Sequence, residues 1–539
     1  MKAIQLAKRK YKDKLETNLS MSNSRELWQG LQSILNYKSK AKSGSVNDQN
    51  LVNELNIFYS RFDKQFVRPK IDTSSNTPAF SVSADDVRHI LSKLNIHKAA
   101  GPDEVSPRLL RACSSQLSCV FADIFNKSLS ICKVPNIFKK STIIPVPKKA
   151  TISQLNDYRP VALTSVIMKT FERLVLQFIK SRLPLTLDPF QFAYRSNRSV
   201  EDAVSLVLHH ILSHLEKANS YARILFIDYS SAFNTIIPAN LHSKLLSLGL
   251  DTSLCNWVFD FLSNRPQVVK MGSSFSEPIT LNTGAPQGCV LSPMLYSLVT
   301  HDCVSSSCDS LIVKFADDTT IVGFIQLNNE TTYRDQVDRL VGWCDENNLE
   351  LNVDKTKEII VDFRKSKVDH VPLNILGKEV EIVDTFKFLG SLISNDLKWE
   401  KNVDHIAKKA QQRLFFLRRL KRFGVSEVIL LKFYRAVVES VLTFSITVWF
   451  GNTTHKDRAK LNKIVKTSSN IIGIDLPSLE SLFYSRVSRK TASIIRDKHH
   501  PAHTLFDPLP SGKRFRSIRT KTKRFNNSFY PLSVRFLNE

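Results

Sequence analysis

The sequence predicts an α+β fold, with a small group of strands in the middle of the chain and helices on both sides. Three observations predict it. Ile224 to Ile227 is an unbroken apolar run that ends on Asp228, the pattern of a buried strand. Leu311 to Val313 and Thr319 to Val322 are β-prone runs with Asp317-Asp318 between them, which reads as strand, tight turn, strand. Helical stretches dominate before about residue 200 and after residue 394.

The elements follow in order. Met1 to about Lys40 reads as helical and basic, with an apolar stripe of Trp28, Leu31, Ile34 and Leu35. Ala41 to Asn50 is polar and loop-like, and Leu51 to Phe66 reads as a second helix. Ile71 to Ser81, rich in Ser, Thr and Pro, reads as a linker. From Val82 to about Val200 helices predominate around one strand, Ile143 to Val146. Val200 to Ser394 holds the strand and hairpin above, and Asn395 to about Ile472 is helical. The basic, Pro-punctuated segment after that carries no assignable pattern. This divides the chain into 1–80, 81–394, 395–472 and 473–539.

A hairpin whose turn lies beside the end of the first strand would bring Asp228, Asp317 and Asp318 to one point. An Asp pair in a turn is ordinary by itself, because Asp bonds its own backbone there. Two separate strands delivering carboxylates to one place is the donor set that two divalent cations need to clamp an in-line phosphoryl displacement. Between them lies GAPQGCVLSP, Gly284 to Pro293. Only 15 of 539 residues are Gly. A glycine in so sparing a chain marks backbone that other residues cannot adopt. Gly284 and Gly288 bracket Ala285-Pro286-Gln287, and Ser292-Pro293 reads as an N-cap and first helical position.

ILFIDYSSAF (Ile224 to Phe233), GAPQGCVLSP and FADD (Phe315 to Asp318) together resemble motifs A, B and C of the reverse transcriptases of non-LTR (LINE-type) retrotransposons. KAAGPDEVSPRLL (Lys98 to Leu110) and IIPVPKK…NDYRPVALTS (Ile143 to Ser165) resemble that family's fingers blocks. FQFAYRSNRS (Phe190 to Ser199) resembles the segment before motif A. LELNVDKTK (Leu349 to Lys357) and FKFLGSLIS (Phe386 to Ser394) resemble motifs D and E. The likeness covers roughly Ser81 to Ser394 and continues more weakly to the C-terminus.

The resemblance implies a right-hand polymerase fold of fingers, palm with antiparallel sheet, and helical thumb. It implies an RNA-directed DNA polymerase that adds deoxynucleoside triphosphates to a DNA primer on an RNA template, with target DNA as a further partner. Asp228 and Asp317 would hold two Mg2+ ions, which Mn2+ can replace, with the Tyr229 carbonyl assisting and Asp318 supporting. Phe233, five residues after Asp228, would be the steric gate against a ribose 2′-hydroxyl. Gln287 and Gly288 would meet the templating base and incoming nucleotide, and Lys148 and Arg159 its triphosphate. Lys355 would be the general acid for the departing pyrophosphate. Phe388, Leu389 and Gly390 would form the primer grip.

Composition points to the same partner. The net charge is +26 and the pI about 9.7, the footprint of a phosphate-binding protein. His405 to Arg422 holds Lys408, Lys409, Arg413, Arg418, Arg419, Lys421 and Arg422 without an acid, interleaved with Leu414, Phe415, Leu417 and Leu420. That reads as a helix with a basic face. Ser511 to Arg524 holds Lys513, Arg514, Arg516, Arg519, Lys521, Lys523 and Arg524, again without an acid. Template contact and nuclear import both use such runs.

The eight cysteines show no CxxC pair, so reduced thiols and an intracellular protein, nuclear or cytoplasmic, are expected. The N-terminus lacks a signal-peptide core, and Ala436 to Phe450 is too short to span a bilayer, so it reads as a buried helix. No endonuclease, ribonuclease H or zinc-knuckle pattern is present, so target nicking would come from a missing domain or another protein. An idle nucleic-acid-binding derivative and a group II intron-type maturase are the alternatives. Intact Asp228, Asp317 and Asp318 weigh against the first, and the lack of a distinct RNA-binding thumb against the second.

Overall fold

The computed structural model describes residues 2–20, 24–35, 48–64, 80–149, 151–365 and 369–539. Three helices precede the first sheet: α1 (Lys2–Ser20), α2 (Ser24–Leu35) and α3 (Gln49–Ser60). The Asp48 side chain accepts from the Leu51 N–H at 3.1 Å, so α3 starts inside the stretch expected to be loop and ends before the expected Phe66. All of the expected linker but Phe80 and Ser81 lies outside the described residues.

Nine strands position the site: β1 (Ser141–Pro147), β2 (Tyr158–Thr164), β3 (Ser220–Ile227), β4 (Arg265–Met271), β5 (Ser274–Phe275), β6 (Ile279–Leu281), β7 (Ser310–Phe315), β8 (Asp318–Gln326) and β9 (Lys357–Val361). The central sheet runs Glu381–Ile382, β9, β3, β8, β7. Strand β3 lies between β9 and β8, antiparallel to both, and every residue of it is buried. That is why it reads as continuous apolar sequence rather than as alternation. The second sheet pairs β1 with β2 antiparallel and with β4 parallel, and β5 and β6 pair with β4. Residues 265–281, which the sequence placed with β3 and the hairpin, therefore complete the sheet that β1 and β2 begin.

The helix Glu400–Phe423 buries Val403, Ile406, Ala407, Ala410, Leu414, Leu417 and Leu420, spacing that keeps one face inward, and ends on Gly424 at φ 84°. Phe415, expected among the apolar residues, points outward and is exposed. Leu31 and Leu35 of α2 join the same core, and Trp28 stacks on Phe433 at 5.8 Å between ring centroids. Ala436 to Phe450 is not one helix. It breaks at Ser445, whose φ is 48°, and Arg486 bonds the Thr443 carbonyl at 2.6 Å beside the break. Among the described residues no helix is long and apolar enough to cross a membrane.

The final segment is a folded part of this body. Leu479–Arg496 is a helix that buries Leu479, Phe483 and Val487, and Phe525, Phe529, Tyr530 and Val534 reach the same core. Glu216 Oε1 accepts the N–H groups of Lys521 and Thr522 at 2.6 and 2.8 Å, tying the segment to the turn that leads into β3.

Candidate active site

Strand register brings the carboxylates together. Ile227 pairs with Thr319 in the antiparallel β3–β8 ladder, so the next step places Asp228 beside Asp318. Phe315 pairs with Asp318, which leaves Ala316-Asp317 as a two-residue turn with Ala316 at φ 59°. Such a φ is unfavourable for Ala and needs outside support. Gln191, fully buried, supplies it: its Oε1 accepts from the Ala316 N–H at 3.1 Å and its Nε2 donates to the Ala316 carbonyl at 3.4 Å. Phe190 and Phe192 extend that support by bonding Lys314 at 2.9 Å each, as an added edge along β7.

Asp228 is held from the other side. The Asn352 N–H donates to its carbonyl at 2.9 Å, and the Ser230 N–H to the Glu350 carbonyl at 2.8 Å. Tyr229 faces Leu351 between these bonds, so its own carbonyl takes no part in the ladder. Lys355 Nζ stands 3.6 Å from Asp228 Oδ2. Burial, and then the charge of Asp228, raise the Asp317 carboxyl above its ordinary value. Asp318 is pushed up to about 6 by burial and then by Asp317 and Asp228.

The glycines of the connecting loop have steric causes. A Cβ on Gly284 (φ 82°) would lie 2.8 Å from the Asn234 backbone, and one on Gly288 (φ 133°) 2.5 Å from the Ala162 carbonyl. The loop thus presses on the Phe233 segment and on β2 at once. Ala285 N–H donates to the Phe233 carbonyl at 2.7 Å, and Ala162 N–H to the Gln287 carbonyl at 2.9 Å. Ser292 is the first helical residue rather than the N-cap, and its hydroxyl donates back to the Pro286 carbonyl at 2.8 Å. The orphan N–H groups of Val290 and Leu291 go instead to Glu172 Oε2, at 2.6 and 2.9 Å. Glu172 is fully buried, and burial raises its carboxyl to about 7 despite those bonds. Gly288→Ala is expected to cost about 1–3 kcal/mol of stability in strained backbone. Thermal denaturation would read that loss.

A cavity of about 520 Å³ opens between the two sheets. Asp228, Tyr229, Phe233 and Asp317 line it together with Lys148, Arg159, Gln287, Gly288 and Lys355. Asp318 does not line it. The three carboxylates lie close enough for Asp317 and Asp228 to act on Asp318, but only Asp228 and Asp317 line the cavity. Phe233 sits in the short turn Ala232–Asn234, with its ring 4.9 Å from that of Tyr296. Lys148 Nζ donates to the Asn156 carbonyl at 2.6 Å. Burial, then repulsion from Lys355 and Arg159, lower the Lys148 ammonium. The sequence did not point to Phe58, Tyr59, Arg61 or Asn352, which also line the cavity.

Among the described residues no group of three or more His, Cys, Asp or Glu side chains is placed to hold a metal alone. Magnesium asks for less. One or two carboxylates suffice when substrate phosphates complete its shell, and Asp228, Asp317 and the free Tyr229 carbonyl fit that donor set.

Elsewhere the expected contacts divide. Phe388 is buried and packs on Phe226 at 5.2 Å, so its ring is core rather than a surface for a primer. Leu389 and Gly390, at φ 44° and 95°, form the hairpin tip against Phe444. On the long helix Lys408, Lys409 and Arg418 are exposed. Arg413 and Arg419 are occupied by the Val437 and Leu35 carbonyls at 2.5 and 3.0 Å, a structural use the expectation did not include. Lys513, Arg514, Arg516 and Arg519 are exposed, with Arg516 paired to Asp507 at 2.9 Å. Deleting residues 511–539 would strip Phe525, Phe529, Tyr530 and Val534 from the core, so charge must be removed without the fold. Gln at positions 513, 514, 516 and 519 is expected to make the log–log salt slope for RNA binding shallower by roughly 0.7 per lost contact. A salt titration of template binding measures it.

Residues 146–393 match the family model described as reverse transcriptase (RNA-dependent DNA polymerase). A second model, described as alkylated DNA repair protein alkB homolog 8, N-terminal, matches residues 399–440, which are mostly the long helix. The chain is similar to the RNA-directed DNA polymerase from mobile element jockey of Drosophila melanogaster, 26% identical over 61% of this chain and 37% of that protein. The jockey polymerase of Drosophila funebris is 27% identical over 72% of this chain and 43% of its own length. The probable RNA-directed DNA polymerase from transposon BS of Drosophila melanogaster is 24% identical over 69% and 42%. The chain thus spans less than half the length of these relatives.

Proposed function

We propose that the chain is an RNA-directed DNA polymerase extending a DNA primer on an RNA template, a reading supported by the match of residues 146–393 to the reverse transcriptase model and by the likeness to mobile-element polymerases. The observation that carries this is the single cavity in which Asp228 and Asp317 face Lys148, Arg159 and Lys355. Acids that could hold divalent cations, gathered in one cavity with bases, suit a nucleoside triphosphate.

Asp228, Asp317 and the Tyr229 carbonyl would hold magnesium, which when bound activates the primer hydroxyl and offsets charge on the transferring phosphate. Lys148 and Arg159 orient the triphosphate. Gln287 and Gly288, fixed by β2 and the Phe233 turn, position the base pair. Lys355, already beside Asp228, is placed to give its proton to the departing pyrophosphate. Leu389-Gly390 and the exposed Lys408, Lys409 and Arg418 would track the primer–template duplex, and the right-hand arrangement of fingers, palm and thumb follows from the same reading. Primer extension on a defined RNA template with magnesium tests the proposal. No extension by the purified chain, with template–primer bound in a gel shift, would favour the idle nucleic-acid-binding alternative.

A further inference from the structure

Four basic side chains line the cavity against two carboxylates, and one of the four comes from outside the reverse transcriptase match. It is Arg61, just past the end of α3. Arg61, Lys148, Arg159 and Lys355 outnumber the carboxylates of the cavity, and after burial it is repulsion from Lys355 and Arg159, with Arg61 adding to it, that lowers the Lys148 ammonium, so an entering anion would relieve the site.

Helix α3 is docked by bonds specific to its sequence. Asn56 Nδ2 donates to Ser276 Oγ at 3.0 Å and to the Glu277 carbonyl at 2.8 Å, while Gln267 Nε2 donates to Asn56 Oδ1 at 2.9 Å. Val52, Leu55 and Tyr59 pack into the fingers sheet with Ile143, Ala162 and Val269. Beyond Arg61, Asp63 Oδ1 accepts the N–H groups of Asn282 and Thr283 at 2.7 and 2.8 Å. The residue is therefore pinned on both sides.

The guanidinium itself is pre-set. It lies 3.8 Å from the Phe58 ring centroid and 4.2 Å from that of Phe62, and one nitrogen donates to the Phe58 carbonyl at 2.5 Å. Among the described residues no carboxylate lies within salt-bridge distance of it, and the side chain is exposed. A flat, stacked guanidinium with unused donors is suited to phosphate oxygens.

We propose that Arg61 is a phosphate-binding residue of the nucleotide site, joining Lys148 and Arg159 on the triphosphate of the incoming deoxynucleotide. This rests on the polymerase reading above. It makes the N-terminal segment part of substrate binding rather than an appendage.

Steady-state extension of a short pre-annealed RNA–DNA template–primer tests it. Arg61→Ala is expected to raise KM for the deoxynucleotide about 10-fold or more with kcat little changed. The template–primer Kd should stay at the wild-type value, and Arg61→Lys should recover part of the loss. An unchanged KM overturns the proposal. So does a KM increase matched by an equal loss of template–primer affinity, which would assign Arg61 to the nucleic-acid backbone. If the wild-type chain does not extend a primer, equilibrium titration with dTTP and magnesium still decides the point. Binding weakened about 10-fold in Arg61→Ala supports the contact although the polymerase reading has failed, and equal binding, or none in either protein, overturns it.

Discussion

Asp317→Ala is expected to abolish DNA synthesis while leaving the fold and template–primer binding in place. Losing one of two carboxylates that would hold magnesium forfeits several kcal/mol of charge stabilisation in the transition state, and about 4 kcal/mol is already a 10³-fold fall in rate. Stability should not fall with it. The fold holds the Asp317 carboxyl above its ordinary value through burial and the neighbouring charge of Asp228. The ionised group is therefore a net cost to the folded protein without cations, and removing it relieves that cost. The turn survives because Gln191 bonds the backbone of Ala316, not the side chain of Asp317. Asp228→Ala should lose synthesis as fully. Single-turnover extension, a gel shift and a melting curve on the same variants separate these effects. Retained extension by Asp317→Ala would remove the two-carboxylate assignment.

The acids were legible because each ends a short element whose local sequence is unambiguous. An apolar run stops at Asp228, two β-prone runs flank Asp317, and antiparallel register does the rest. The glycines were legible for a similar reason, since Gly284 and Gly288 meet backbone that no Cβ could approach. What the sequence hid are the parts made by distant residues. Gln191 supports a turn 125 positions away, and Glu172 caps a helix start 118 positions away. A single Gln in a loop has no local signature. Glu172 had a faint one, as an acid directly after Phe171 in a largely apolar helix. Arg61 depends on α3 docking to β4 through Asn56 and Gln267, which no periodicity reveals. At the C-terminus the basic residues masked the rest. Phe525, Phe529 and Tyr530 form a core-facing cluster, yet amid the basic, Pro-punctuated sequence around them they show no assignable pattern. Strand β2 was overlooked because Pro160 interrupts its β-prone sequence, a residue tolerated there because β2 is the edge of its sheet.

Phe233→Val is expected to let ribonucleotides into the proposed deoxynucleotide site. The ring lines the cavity along with Asp228 and is partly buried, so it is neither free in solvent nor sealed in the core. It is wedged by Tyr296 at 4.9 Å, and its own carbonyl receives the Ala285 N–H at 2.7 Å. A rigid ring held this way cannot swing aside for a 2′-hydroxyl, which is how a steric clash becomes discrimination. Shortening it to Val leaves the backbone bond to Ala285 intact and opens space only where the ring stood. The cost in packing against Tyr296 is about 1–2 kcal/mol, small enough to keep the fold. Relaxation of the ratio of kcat/KM for deoxy- over ribonucleotide by on the order of 10²-fold is the expected outcome. It is read by extension with each nucleotide separately on one template. Should Phe233→Val keep full deoxynucleotide activity and full discrimination, the ring serves only to brace Tyr296, and selection against the 2′-hydroxyl must come from another wall of the cavity.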